Sequence, residues 1–372
     1  MKDLLKTLQR NLPESLKLLE SFVNMDSPSV DKTLVDRFGR FVGQKFEEIG
    51  GSVEYIPAER FGNHVIARFA GVPGTGLLLL GHLDTVFAAG EAEARAFRID
   101  AGRAMGPGVF DMKAGIVLIW AALRALGLLP RAVTVLLTSD EEVGSPSSRE
   151  LIEREAAKAR AVLVLEPSLP GGVLKTVRKG VGRFTVMASG RAAHAGIDPA
   201  RGINAIEEIA HQVLAIRDMA DPSRGTTVTV GLIQGGTRVN VVPAEAAVEV
   251  DVRVVNSEEA ARITGAIRSL QPHIPGSVLH VRGGINRPPM ERTRDTAVLF
   301  ELARRLGAEL GVSVDEGSTG GASDGNFTSA MGIPTLDGLG AVGDGAHSLE
   351  EFVDIKSLPE RAALIAGLIR HI

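Results

Sequence analysis

Apolar positions along the first third of the chain change their period several times. Leu4, Leu5, Leu8, Leu12, Leu16, Leu19 and Val23 recur at helical spacing, predicting one amphipathic helix over 2–24, and a second follows over 34–49. Short apolar runs then appear at 64–69, 77–80, 133–138 and 162–165. The last three are nearly continuous in Val, Ile and Leu, as expected for strands covered on both faces. Helical patterns at 114–126 and 147–158 lie between them. This alternation predicts a largely parallel sheet wrapped by helices.

After Lys179 the pattern changes. Segments 184–189, 226–234 and 245–254 alternate apolar and polar residues, as half-exposed antiparallel strands do, and 277–282 supplies a fourth. Helical stretches at 203–219 and 257–270 sit among them. The first grammar then returns with a helix at 296–310, a strand at 334–336 and a final helix at 357–372. The expected organisation is therefore an α/β domain in two pieces, 1–179 and 288–372, interrupted at 180–287 by an α+β domain with a four-stranded antiparallel sheet and two helices. Gly71-Val72-Pro73-Gly74-Thr75-Gly76 precedes a strand and lacks a following Gly-Lys-Ser/Thr, so it reads as a turn and not a phosphate loop.

Composition narrows the function classes. In 372 residues, apolar types make up 44% and charged types 23%, a globular balance. Lys+Arg 41 against Asp+Glu 45 leaves a net charge of −4 with no basic stripe, so no nucleic-acid partner is expected. Cysteine is absent, which excludes disulfides and thiolate ligands and suits a reducing compartment. The run 116–129 is broken by Arg124 and is shorter than the roughly 20 residues of a bilayer crossing. The N-terminal pattern lacks the apolar stretch of a signal peptide. The expectation is a cytoplasmic protein without a membrane partner.

Candidate chemistry collects where strands end. Strand 77–80 runs into Gly81-His82-Leu83-Asp84-Thr85-Val86, and ligand sites in open α/β sheets gather beyond the carboxyl ends of strands. Asp84 is placed to hold the second ring nitrogen of His82, although taken alone the pair reads more simply as a strand-end histidine with a turn aspartate. Asp111 arrives in Gly106-Pro107-Gly108-Val109-Phe110-Asp111-Met112-Lys113-Ala114-Gly115, as a ligand or as the N-cap of the next helix. Strand 133–138 ends in Ser139-Asp140-Glu141-Glu142-Val143-Gly144-Ser145, three acids that a cation would offset. Strand 162–165 ends in Glu166-Pro167, and Gly345-Ala346-His347 follows the last strand. Two imidazoles and three carboxylates, His82, Asp111, Glu142, Glu166 and His347, suit zinc or a related first-row ion better than magnesium or calcium. Five ligands crowd one ion, whereas two ions sharing a carboxylate leave room for an attacking water.

Taken as an ordered set, these motifs and Gly320-Gly321-Ala322-Ser323-Asp324-Gly325-Asn326 resemble the di-zinc exopeptidase family of glutamate carboxypeptidase, acetylornithine deacetylase and succinyl-diaminopimelate desuccinylase, across essentially the whole chain. The resemblance implies two Zn2+ ions per subunit, with Co2+ or Mn2+ as substitutes. It makes Asp111 the bridging ligand, pairs His82 with Glu166 and Glu142 with His347, and gives Asp84 the role of orienting His82. Glu141 becomes the general base. The inserted domain becomes a lid that forms a homodimer, and His194, in Arg191-Ala192-Ala193-His194-Ala195-Gly196, reaches the neighbouring subunit's site to stabilise the oxyanion. Asn240, Arg287 and the backbone at Gly321 become substrate contacts. Met112 stands where many members carry a second aspartate.

The same resemblance implies hydrolysis of an amide next to a free carboxylate in a small peptide or acyl-amino-acid. The Arg191–Gly196 segment, Arg287-Pro288 and Glu166-Pro167 favour the glutamate carboxypeptidase branch. An N-acyl amino acid deacylase uses the same metals, and a catalytically silent binding protein would keep the fold while losing the base or a ligand.

Overall fold

The computed structural model describes all of residues 1–372 except Pro73, so that member of the 71–76 turn lies outside the described residues. The chain divides into two compact units, Met1–Val177 with Arg292–Ser318 and Ser323–Ile372, and Arg178–Glu291 with Thr319–Ala322.

In the first unit, a six-stranded sheet runs in the order Ser52–Ile56, His64–Phe69, Val133–Thr138, Gly76–His82, Ala159–Val164, Thr335–Leu336. The four strands at one side are mutually parallel, and the first two join antiparallel at the other side. The helix Ala114–Leu126 is buried almost all round and packs against the final helix Leu358–His371. A helix apolar on every side belongs inside, as expected of the run 116–129 once a bilayer crossing is set aside. No helix is long and apolar enough to cross a membrane among the described residues.

Two expectations need correction. The helix expected over 2–24 is two helices, Lys2–Arg10 and Leu12–Val23. Pro13 lies in the first turn of the second, where its missing N–H costs nothing but where no preceding helix can run through it. The edge strand Ser52–Ile56 is mostly exposed and carries no apolar run, so the apolar pattern does not predict it. Short strands pair into a second small sheet, Gly343–Asp344, Phe352–Asp354, Arg103–Met105 and Arg98–Asp100. Its register sets Phe352 opposite Met105 and Val353 opposite Ala104, which ties the segment after the last long-sheet strand to the approach of Asp111.

The second unit is a four-stranded antiparallel sheet in the order Thr227–Gly235, Glu245–Val254, Gly180–Ser189, Val278–Arg287. Alternate residues Phe184, Val186, Ala188, Val248, Val250 and Val252 face a core shared with Ile209 and Ile216 of helix Ala205–Arg217 and Ile263 and Ile267 of helix Ser257–Arg268. A buried carboxylate organises the turn beside it. Glu208 accepts from the N–H groups of His273 and Ile274, from Ser277 Oγ at 2.7 Å and from Gln212 Nε2 at 2.6 Å. Burial pushes its pKa up, but these donors outweigh that and depress it to about 2.

Glu208→Ala is therefore expected to destabilise this unit by about 2–3 kcal/mol near neutral pH, read by urea denaturation. Because the folded-state pKa lies below the ordinary glutamate value of about 4.3, the contribution is complete above that value and fades as pH falls toward about 2. The gap between variant and parent should narrow on that acid side, and a constant gap would contradict the assignment.

Candidate metal centre

Parallel neighbours end together. His82 is the last residue of Gly76–His82 and sits opposite Thr138, the last of Val133–Thr138, while Leu80 sits opposite Val164 of the third strand. The segments carrying His82, Glu141 and Glu142, and Glu166 therefore leave the sheet at one edge. Gly115 lets the helix after Asp111 approach that edge, because a Cβ there would meet the Leu165 carbonyl oxygen at 2.3 Å. His347 comes from the loop pinned by the small sheet and holds a left-handed φ of 64°. For a non-glycine residue that conformation costs on the order of 1–2 kcal/mol and clusters at functional sites.

The side chains converge closely. His82 Nε2 lies 3.2 Å from Asp111 Oδ1 and 3.3 Å from Glu166 Oε1. His347 Nε2 lies 3.4 Å from Asp111 Oδ2 and 3.2 Å from Glu142 Oε2. A tetrahedral zinc with bonds of about 2.0–2.1 Å separates its ligand atoms by about 3.3 Å. The spacing is that of ligand atoms around such an ion, and each oxygen of Asp111 lies near a different imidazole. His82, Asp111 and Glu142 offer ligand atoms within 4.8 Å of one another, and so do His82, Glu141 and Glu166. Glu142 Oε1 is buried without a hydrogen-bond partner, an acceptor that a cation would satisfy. The donor set fits a divalent first-row ion.

Electrostatics carry the same message. Burial pulls the His82 imidazole down, yet hydrogen bonds to Asp111, Asp84 and Glu166 raise its pKa well above the usual 6.5. Hydrogen bonds to Asp111 and Glu142 raise His347 to about 10. Burial pushes Asp111 up, but the two imidazoles overcome it and hold the carboxylate below its ordinary range. Burial raises Glu142, against the opposing His347. Carboxylates in this number demand positive charge among them.

Asp84 is fully buried and braces three segments. Its backbone carbonyl lies 2.9 Å from His82 Nδ1, with Oδ1 at 3.6 Å from the same nitrogen. Its carboxylate accepts from the N–H groups of Glu141 and Glu142, each at 3.2 Å, and from Ser29 Oγ at 2.7 Å. The tautomer is thus held chiefly by the carbonyl, while the carboxylate holds the acidic turn. Of the three consecutive acids, Asp140 turns away to accept from Ser147 and Ser148 N–H groups at the start of the helix Arg149–Ala156. Glu141 is buried and Glu142 faces His347. His64 stays structural, buried between Ser139 and Ser147. Met112 places its sulfur 3.2 Å from the His82 backbone nitrogen. Ser145 donates to Asp324 and Ser323 to Asp337, so neither is poised as a nucleophile. Ser29 had no signal in the sequence beyond a turn-like Ser-Pro-Ser.

The remaining candidates belong to the second unit. His194 and Asn240 lie on paired segments: Ala195 N–H donates to the Asn240 carbonyl at 3.0 Å, and His194 bridges Val241. Both side chains are exposed. His194 Nδ1 accepts from the N–H groups of Gly196 and Ile197, which leaves the ring proton of the neutral form on Nε2. Arg287 is buried at the end of its strand. Gly321 donates its N–H to Thr319 Oγ1 at 3.3 Å, and its carbonyl accepts from Arg178. Arg253 forms a forked pair with Asp251.

Known proteins align along nearly the whole chain. Carboxypeptidase G2 of Pseudomonas sp. (strain RS-16) is 32% identical over 96% of this chain and 89% of its own length. Acetylornithine deacetylase of Erwinia tasmaniensis is 26% identical over 98% and 99%. The crystal structure of aminopeptidase PepT from Bacillus cereus superimposes with a TM-score of 0.79 at 22% identity, covering 97% of this chain and 98% of that one. The model of peptidase family M20/M25/M40 matches residues 78–371, a span that begins in the strand leading to His82 and runs past His347, and the chain belongs to that family of metallopeptidases.

Proposed function

We propose that the protein is a di-zinc carboxypeptidase that cleaves an amide bond next to a free carboxylate and releases a C-terminal glutamate or a similar amino acid. The observation that carries this reading is Asp111, whose two carboxylate oxygens each face a different imidazole at 3.2 and 3.4 Å. His82 and Glu166 would hold one ion, Glu142 and His347 the other. The carboxypeptidase reading is supported by the 32% identity to carboxypeptidase G2, and the choice of glutamate rests on the resemblance carried by Arg191–Gly196, Arg287-Pro288 and Glu166-Pro167.

Bound there, a zinc pair supplies Lewis-acid polarisation of the carbonyl and lowers the pKa of an attacking water. The protein supplies the proton traffic. Glu141, beside His82 and Glu166 and tethered through its N–H to Asp84, takes the proton of the water and returns it to the leaving nitrogen. His194 donates its Nε2–H to the developing oxyanion in the site of a neighbouring subunit. Asn240 and Arg287 bind the substrate carboxylate, for which a guanidinium fork is suited. The inserted domain forms a homodimer. Leu232 and Ile233, 64% and 63% exposed on the edge strand Thr227–Gly235, support that role. The second reading, an N-acyl amino acid deacylase, draws on the 26% identity to acetylornithine deacetylase.

Zinc-loaded protein offered C-terminal glutamyl peptides, pteroyl glutamates and N-acetyl amino acids is expected to turn over the glutamyl compounds. Turnover of the acetyl compounds alone would replace this reading with the deacylase. Glu141→Gln should lower kcat by about 10²–10⁴-fold while metal analysis still finds two zinc ions per chain. A loss of zinc in that variant would instead make Glu141 a ligand. Mixing His194→Ala with Glu141→Ala subunits should restore part of the activity through hybrid dimers; no recovery despite demonstrated subunit exchange would place His194 in its own chain's site.

A further inference from the structure

The loop that delivers His347 carries a buried carboxylate with no assigned role. Glu351 is 1% exposed and lies four residues beyond that histidine. Its Oε1 accepts from the N–H of Phe110 at 2.8 Å and of Asp111 at 2.7 Å, and its Oε2 accepts from the N–H of Gly108 at 2.9 Å. Three main-chain donors thus converge on one side chain that is 240 positions away from Asp111 in sequence.

These donors lie where regular structure cannot use them. Gly108 is left-handed at φ 72°, and Asp111 and Met112 have non-helical backbone angles before the helix Ala114–Leu126 begins. Without an acceptor the buried N–H groups would be orphaned, having given up water for nothing in return. Glu351 itself is not free to drift. The next residue, Phe352, opens a strand paired in register with Arg103–Met105. The carboxylate is therefore fixed to the segment leading into the very loop whose amides it gathers.

We propose that Glu351 is a positioning residue that sets the backbone of Asp111, so that each oxygen of that carboxylate faces a separate metal position, and that locks the bridging ligand and His347 into one unit. Through Glu351, a displacement of the His347 loop is felt at Asp111. This rests on the reading of Asp111 as the bridging ligand.

The test is zinc titration of the full chain by calorimetry, together with the visible spectrum of cobalt-loaded protein and the melting temperature of chelator-treated protein. Removing an outer partner of a ligand weakens metal binding by about 10–100-fold, and Glu351→Gln is expected to do so with an altered cobalt spectrum. Glu351→Asp, which keeps the charge but shortens the reach, should fall between parent and Glu351→Gln. Glu350→Gln, an exposed neighbour, should match the parent. If Glu351→Gln does not fold, Glu351→Asp decides alone, by a loss of zinc affinity. Parent-like affinity and spectrum in the folded variant, with only a lowered melting temperature, would make Glu351 a simple brace and overturn the proposal. Fewer than two zinc ions in the parent would overturn the bridging role of Asp111 instead.

Discussion

Like charges crowd together at one edge of the long sheet, and the rest of the first unit is arranged around that repulsion. Asp84, Asp111, Glu141, Glu142 and Glu166 all emerge within reach of His82 or its immediate neighbours. Five carboxylates in so small a volume are tolerable only with positive charge among them and with donors on their outer sides. The imidazoles answer the first need, which is why both are pushed toward their charged forms. Backbone amides and hydroxyls answer the second: Ser29 and two N–H groups at Asp84, and Ser147 with its neighbours at Asp140. The same arrangement that would be unstable as a bare acidic patch becomes a cage with a demand for divalent charge.

Different parts of the fold meet that demand in different ways. Parallel strands fix where His82 and the acids leave the sheet, and a register slip of one residue would turn each side chain to the opposite face. Loops then choose direction. The left-handed His347 and the non-helical Asp111 are conformations that isolated segments would not hold, and both are bound into place by the small sheet and its approaches. Precision at the centre therefore comes from long-range ties between segments far apart in the chain.

That division also explains what the sequence disclosed. Continuous apolar strands such as 77–80 and 133–138 announce themselves, since burial on both faces leaves no polar position to blur them. The seven residues placed at the centre sit in short motifs next to those strands or in glycine-rich loops, and the family pattern orders them. The strand Ser52–Ile56 was invisible because an exposed edge needs no apolar pattern. Ser29 and Glu351 were invisible for another reason. Each acts by accepting or donating a hydrogen bond to a partner remote in sequence, and nothing in their local surroundings marks that contact. Composition alone groups Asp140 with Glu141 and Glu142 as an acidic trio, but the three residues go to separate partners, a choice made by the turn.

The order of the candidate ligands along the chain has a consequence for biosynthesis. His82, Asp111, Glu142 and Glu166 are all translated before the second unit, whereas His347 follows it. The second unit has its own hydrophobic core and antiparallel sheet, so it can fold as soon as it leaves the ribosome. The candidate centre must wait for the segment that carries His347. A nascent chain therefore carries an incomplete cage until the second unit has been made, and the two imidazoles can converge on Asp111 only after it.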